Sequence, residues 1–485
     1  MKQMKKFKYL KLISLSIVCI VIMTACDDFL DVEPKGLVIA NDIEHYNGLF
    51  NNTVMVNYMN YTPGAEGFSS RGSSDANLAI FLSAETMLAD PYSNSLITRY
   101  RNAFAWSDED YYLPGEEAPE WEAFYIRNYT YNLIIDEVMD ADGGTEQEKK
   151  ALQAEARANR ALLHFMVLNF FSKPYNQSTA ASDPGIPIIT VPNATTRGNT
   201  RSSVQEVYDF IISDLETAIP DLPEQTTSRL RLARAAGKYI LGQTYLFMGK
   251  YDEALIELND SKELTQNSLV PIDLYDYNTM IAQWQFFPIF PPILPNSHDD
   301  QEGIYQQRVS LFSTQSSVFL DTTYSSLYDI TDMRGKLFGY QALFGPSTFP
   351  YKSRVAPSQV NYGPSVPNLY LMLAECKART DDVDGAKADL EAFRSNRMPA
   401  SSATVDITDQ NEMIRFIIDE RLREYACTGV FWFDIRRLWN DPLFSDRTYT
   451  HTDIDGSTYT LSADRLVLRI PPEILQYNPG MEDNP

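Results

Sequence analysis

The 485-residue chain is poor in the residues that most often hold metals or break bonds. It has four histidines and four cysteines. His45, His164, His298 and His451 lie far apart, which leaves little room for a multi-histidine metal site. Four cysteines exclude a disulfide scaffold. Basic residues are also short: 41 Lys+Arg stand against 65 Asp+Glu, a formal charge of −24. That balance argues against nucleic acid as a partner, since phosphate binding needs clustered cations. No HExxH, P-loop, strand-linked Rossmann glycine motif or GxSxG elbow occurs, so no cofactor is expected. Carboxylates are numerous, and no spacing marks a catalytic pair.

What the chain does have is a core-forming composition, 44% hydrophobic and 22% charged, and a high aromatic content of 29 Tyr and 25 Phe. Its first residues carry an address. Lys2, Lys5, Lys6, Lys8 and Lys11 precede an apolar run from Leu12 to Ala25. The run is too short to span a bilayer, which takes ~20 residues, but it suits a signal peptide. It ends Met23-Thr24-Ala25-Cys26, a lipobox arrangement in which Cys26 becomes the lipidated first residue of the mature chain. Removing residues 1–25 takes five lysines from 41 basic residues, leaving 36 against 65 acids, or −29. Membrane contact is then expected from lipid on Cys26 rather than from a basic patch.

The mature chain reads as helical, as one domain over 26–485. It divides into a tether (26–40), an N-terminal helical part (41–264), a loop-rich insert (265–365) and a C-terminal helical part (366–485). Val204, Val207, Tyr208, Ile211, Ile212, Leu215, Ala218 and Ile219 predict a helix over 203–219. Ser203 and Glu206 form its capping box, and Pro220 stops it. Helices are also expected over 119–139, 149–171 and 411–426, with Gly429 closing the last in a left-handed cap. Leu241, Gly242, Tyr245, Gly249, Tyr251 and Ala254 follow the spacing of a tetratricopeptide helix pair. Leu373, Ala374, Ala386 and Leu390 repeat its offsets over 368–398. The fold class is therefore mainly α: a tetratricopeptide-like scaffold with long irregular loops and a few short β-hairpins. Asp455-Gly456 marks a two-residue hairpin within 446–461, in preference to a calcium loop.

Three stretches, 53–118, 172–200 and 265–365, read as irregular. Between 272 and 352 stand 16 aromatics in 81 residues, which argues for ordered, functional loops. His164 sits on an apolar helix face and reads as a core residue. His298-Asp299-Asp300 reads as a solvated loop rather than a cation site. Cys376 and Cys427 read as buried thiols, with a disulfide between them open.

Distributed fragments then carry a resemblance. They run from Cys26-Asp27-Asp28-Phe29-Leu30-Asp31-Val32-Glu33-Pro34 through Trp121-Glu122-Ala123-Phe124-Tyr125 with Asn132, and Glu155-Ala156-Arg157 leading to Arg160. They continue with Lys173-Pro174-Tyr175-Asn176, Gly185-Ile186-Pro187-Ile188, Asp214-Leu215 and Asp332-Met333-Arg334. Glu420-Arg421 to Glu424, Phe433-Asp434-Ile435-Arg436-Arg437-Leu438 and Ile470-Pro471-Pro472-Glu473-Ile474 complete the set. In this order they resemble the SusD/RagB family of Bacteroidetes outer-membrane lipoproteins. The departures are Asn368-Leu369-Tyr370 and Val430-Phe431, where the family often carries other residues.

The resemblance implies a non-catalytic, cell-surface protein that binds glycan and serves a SusC-like TonB-dependent transporter as partner. Tyr and Trp rings suit sugar C–H faces. Stacking residues are expected in the loops: Tyr58, Tyr61, Trp106, Tyr111, Tyr112, Tyr275, Tyr277 and Trp284. A lipoprotein glycoside hydrolase and a tetratricopeptide adaptor without a small ligand are the alternatives. The lipid anchor has a direct test: Cys26→Ala should lose palmitate labelling and leave the membrane fraction, and a variant that stays anchored contradicts the assignment.

Overall fold

The computed structural model describes residues 40–51, 55, 78–88, 98–116, 118–193, 198–281, 299–310, 318–324, 326–339, 351–354, 359–453 and 455–485. Among the described residues nine main helices build the body: α1 Pro119–Glu137, α2 Glu146–Phe171, α3 Val204–Ala218, α4 Arg234–Phe247, α5 Tyr251–Gln266, α6 Val366–Arg379, α7 Val383–Arg394, α8 Gln410–Tyr425 and α9 Val430–Leu438. Among the described residues no helix is long and apolar enough to cross a membrane.

Local chemistry sets the helix ends. The Ser203 hydroxyl accepts from the Glu206 N–H while Glu206 accepts from the Ser203 N–H, the expected capping box. Thr145 and Glu148 make a second box and start α2 three residues earlier than its apolar pattern does. From Ala158 to Phe171 every α2 residue is buried, so this helix is the central strut. His164 lies within it as a core residue; burial pushes its imidazole down to about 4, with Nδ1 on the Arg160 carbonyl.

The two tetratricopeptide-like pairs are α4–α5 and α6–α7. Gly249 turns the first with φ +74°. In the second, Asp381 takes φ +66° and the Asp382 carboxylate accepts from the Gly385 N–H. About a hundred residues separate the pairs in sequence, yet α5 packs on α6. Asp389 of α7 fastens the joint, taking Lys262 of α5 at 2.8 Å and Lys377 of α6 at 2.6 Å. Gly242 lets α4 approach α5: a Cβ there would stand 2.7 Å from Leu258 Cγ and 3.2 Å from the Ala254 carbonyl.

Two expectations change. Gly429 does take a left-handed φ of +83°, but it caps the start of α9; the left-handed residue just past α8 is Cys427, at φ +57°. The 53–118 stretch is not wholly irregular. It holds helices Leu78–Leu82 and Thr98–Phe104 and strand β1 Thr86–Leu88. Leu78–Leu82 is buried on every side, so it shows no helical period.

The insert folds back through short antiparallel pairs. β2 Arg308–Ser310 pairs with β6 Gln359–Asn361, β3 Val318–Leu320 pairs with β1, and β4 Phe338–Gly339 pairs with β5 Ser353–Arg354. The C-terminal hairpin joins β7 Thr450–Thr452 to β8 Thr458–Thr460, with Gly456 at φ +87°. Five residues rather than two separate its strands, because Asp453 bonds Ser457 before the turn closes. Two-stranded pieces are marginal alone, so the insert needs another anchor.

That anchor is ionic. Arg334 is fully buried and its guanidinium binds Asp332 in a fork (Nε–Oδ1 2.9 Å, Nη2–Oδ2 2.7 Å). The same group reaches Glu420 at 2.6 Å and Glu424 at 3.2 Å on α8. Arg397 joins Glu424 (2.9 Å) to Glu302 of the insert (2.8 Å). Arg394 and Arg423 complete the shell of Glu420. A second network links α6, α8 and α9: Arg437 clamps Glu375 through 2.8 and 2.7 Å bonds and meets Asp434, which also takes Arg421 at 2.9 Å. A third fixes α1, α2 and α3, with Arg160 forked onto Asp214 (both 2.8 Å) and bonded to Asn132.

Burial alone would raise the Glu420 and Glu375 carboxyls; their arginines overcome it and hold both down to about 2. Glu302, partly desolvated and sharing Arg397 with Glu424, is pushed up to about 7 instead. The signs follow. A depressed carboxyl stabilises above its ordinary value of 4.5 and loses that contribution as pH falls toward 2. A raised one stabilises below 4.5 and loses it as pH rises through 7.

Three outcomes are expected. Urea midpoints should fall as pH drops from 4.5 to 2, each depressed carboxyl contributing about 3 kcal/mol. Glu420→Gln should cost about 3–5 kcal/mol at neutral pH and flatten that acid slope; an unchanged slope contradicts the network's role. Gly242→Ala should destabilise by about 1–3 kcal/mol, since overpacking against Leu258 outweighs the gain in helix propensity; a raised melting temperature contradicts the close approach.

A candidate ligand-binding cleft

Where the insert meets α8 it leaves an open cleft of about 430 Å³. Its wall grows from two short turns and three strands. Asp321 starts the turn Thr322–Tyr324 by accepting from the Thr323 N–H at 2.8 Å. Asp332 starts the turn Met333–Leu337, accepting from the Arg334 N–H at 3.0 Å. The Met333 N–H donates to the Arg397 carbonyl, so this turn hangs directly on the ionic anchor. β4 leaves the second turn and pairs with β5, and the Leu320 N–H of β3 donates to the Lys352 carbonyl. Arg354 of β5 donates to the Ala426 carbonyl at 2.9 Å, beyond the end of α8.

The lining is mixed. Half-buried Tyr328 and Tyr351 supply ring surface, and Phe338 on the same lining is buried. The Tyr328 and Phe338 rings lie 5.5 Å apart, and the Tyr328 hydroxyl donates to the Arg423 carbonyl at 2.7 Å, which fixes the ring. Gly335 allows that ring to sit close, since a Cβ would stand 3.2 Å from Tyr328 Cβ. Thr322, Asp329 and Lys336 are exposed at the mouth, and Ile330 beside them is 96% exposed. Asp332 is turned inward onto Arg334, and Asp329 accepts from the Thr331 N–H at 3.0 Å. Among the described residues the lining includes no histidine or cysteine and offers ring faces, hydroxyls and single charges.

The expected stacking residues divide. Four are corrected to core positions. The Trp106 ring is 4% exposed, stacks on His451 at 3.8 Å, and donates its indole N–H to the Leu82 carbonyl. Tyr111 is buried; Tyr112 is buried with its hydroxyl on Glu120 at 2.8 Å. Tyr277 is buried under the Arg397 guanidinium, 4.2 Å from its ring centre. Tyr275 is half-buried, its hydroxyl accepting from the Gln301 N–H at 3.0 Å. Tyr58, Tyr61 and Trp284 lie outside the described residues. The reason is physical: these loops drape over the helices, so a ring outside the helical period can still face the core. The cleft rings were missed although they belong to the aromatic-rich stretch 272–352.

Other side chains settle as well. Cys376 and Cys427 are both free and buried. Among the described residues no cluster of His, Cys, Asp and Glu could hold a metal ion. His298 lies outside the described residues.

Comparison with known proteins places this geometry. A family model described as starch-binding associating with outer membrane matches residues 28–246, and the SusD family model matches residues 367–485. The cleft lies in the stretch between the two. A SusD-like protein of Formosa agariphila is 22% identical, over 99% of both chains. Two solved structures share the fold at 17% identity and a TM-score of 0.68. One is a SusD superfamily protein of Bacteroides thetaiotaomicron, matching 92% of this chain and 100% of its own. The other is a SusD-like carbohydrate binding protein of Bacteroides vulgatus, matching 91% and 97%. With matches at both ends of the chain and the same fold throughout, the protein belongs to the SusD/RagB family.

Proposed function

We propose that this protein is a cell-surface glycan-binding lipoprotein, held at the outer membrane by lipid on Cys26. It captures oligo- or polysaccharide without cleaving it and passes the ligand to a SusC-like TonB-dependent transporter. One observation carries the binding step: a ring-lined cleft of about 430 Å³ with hydroxyl and charged groups at its mouth. Tyr328 and Tyr351 are the proposed sugar-facing surfaces, and Tyr275, Tyr58, Tyr61 and Trp284 remain proposed contacts. A scaffold locked by buried ion pairs lowers the ordering cost of such a platform. Transfer to a transporter suits micromolar to millimolar affinity, about −8 to −4 kcal/mol.

The experiment is titration calorimetry of the detergent-purified protein against a glycan panel, with a reducing-end assay on each binder. Binding without new reducing ends is expected. Tyr351→Ala should weaken binding by about two- to tenfold, the scale of one ring contact. Turnover of a bound glycan, or unchanged affinity in Tyr351→Ala, contradicts the reading.

A further inference from the structure

Resting on the assignment of the cleft to a glycan, we infer that the glycan is uncharged. Asp329 and Lys336 hold two neighbouring hydroxyls of one sugar, the first as acceptor and the second as donor.

Four charged side chains line the cleft: Asp329, Asp332, Lys336 and Lys352. Two of them are already engaged. Asp332 is buried and carries Arg334 in a fork. Lys352 is exposed but has a partner of its own. Asp329 and Lys336 remain. Both are exposed, and among the described residues neither belongs to an ion pair. One carboxylate therefore stands against one ammonium, and the mouth is balanced. The adjoining sequence does not tip it. Residues 311–317, 340–350 and 355–358, which flank the strands of this wall, contain no Asp, Glu, Lys, Arg or His, in a chain that is 22% charged. Among the described residues the lining also has no arginine, the side chain whose planar fork receives a carboxylate or sulfate through two bonds.

An anionic sugar gains nothing from such a mouth. Its charge would meet Asp329 as well as Lys336 and would lose water on entry. It would also approach a body in which acids outnumber bases 65 to 41. Hydroxyls suit the same two groups. The N–H and the hydroxyl of Thr331 both bond Oδ1 of Asp329, at 3.0 and 3.1 Å. They set the plane of the carboxylate and leave Oδ2 without a bond among the described residues. The same bonds hold this carboxyl below its ordinary value, so at neutral pH it only accepts. An ammonium only donates. A sugar diol carries the complement: one hydroxyl donates to the carboxylate while its neighbour accepts from the lysine. Hydrogen bonds with one charged partner are stronger than neutral ones. Lys336 stands on the turn that hangs from Arg397 and Arg334, so its backbone is held while its head stays in water. The half-buried Tyr328 ring on the same lining offers a face for the sugar's C–H groups.

The test is a glycan array probed with the detergent-purified full-length protein. It carries neutral oligosaccharides, each beside an O-methylated counterpart without free diols. It also carries uronate-containing and sulfated ones, each beside its carboxyl-reduced or desulfated counterpart. Binders are expected among the neutral members, about fivefold to tenfold weaker once methylated. Acidic members should bind no tighter than their neutral counterparts. Raising salt from about 0.1 M to about 1 M should change neutral binding by less than about twofold. Asp329→Asn and Lys336→Met, each with an unchanged melting temperature, should each cut the discrimination between diol and methylated forms. Tighter binding of the acidic members overturns the uncharged assignment and leaves the glycan reading standing. Discrimination that survives undiminished in either variant overturns the role of that residue. No binder in any arm overturns the glycan reading itself.

Discussion

Glu420 lies in the interior of this protein with three arginines around it, and most of what positions the cleft runs through that contact. Arg334 at 2.6 Å brings the insert, Arg394 brings the end of the second helix pair, and Arg423 comes from one turn along the same helix. A carboxylate stripped of water is costly, so each partner has to be present and correctly placed. Among the described residues the insert's strands are short, and the apolar packing of side chains such as Leu320 and Leu337 is non-directional. Ion pairs are directional. They fix where the turn Met333–Leu337 sits, and with it the wall of the cleft.

The same logic explains the fragments by which the chain resembles its family. Asn132, Arg160 and Asp214 meet in one buried network; Asp332, Arg334, Glu420 and Glu424 in another; Arg421, Asp434 and Arg437 in a third. These residues are scattered in sequence and touch in space. They are the fasteners between helix pairs, and their chemistry says how the scaffold closes rather than what it binds. The cleft lies in the insert between the two matched stretches, where a ligand preference can change without loosening the frame.

How much could be read beforehand follows from range. The amphipathic period of 203–219, the Ser203–Glu206 box and the Gly242 and Ala254 spacing are local signals, and the helices they imply are present. Leu78–Leu82 was invisible because burial on all sides erases the period. Loop rings were harder still. Trp106 and Tyr112 look like loop aromatics until long-range packing sets them under His451 and beside Glu120. Tyr328 and Tyr351 become neighbours only when β4 and β5 pair, a contact no local pattern encodes.

The picture is a rigid helical frame whose buried charges pin a chemically distinct insert at one edge, with ring surface and exposed polar groups at its mouth. Its central claim is that ligand meets the insert there and not the helix-pair turns around Gly249 and Asp381. Hydrogen exchange with and without a bound oligosaccharide tests this most directly. Slowed exchange confined to Tyr328–Phe338 and Tyr351–Arg354 is the expected result. Protection centred on residues 249–253 and 379–381, with the insert unchanged, would contradict it.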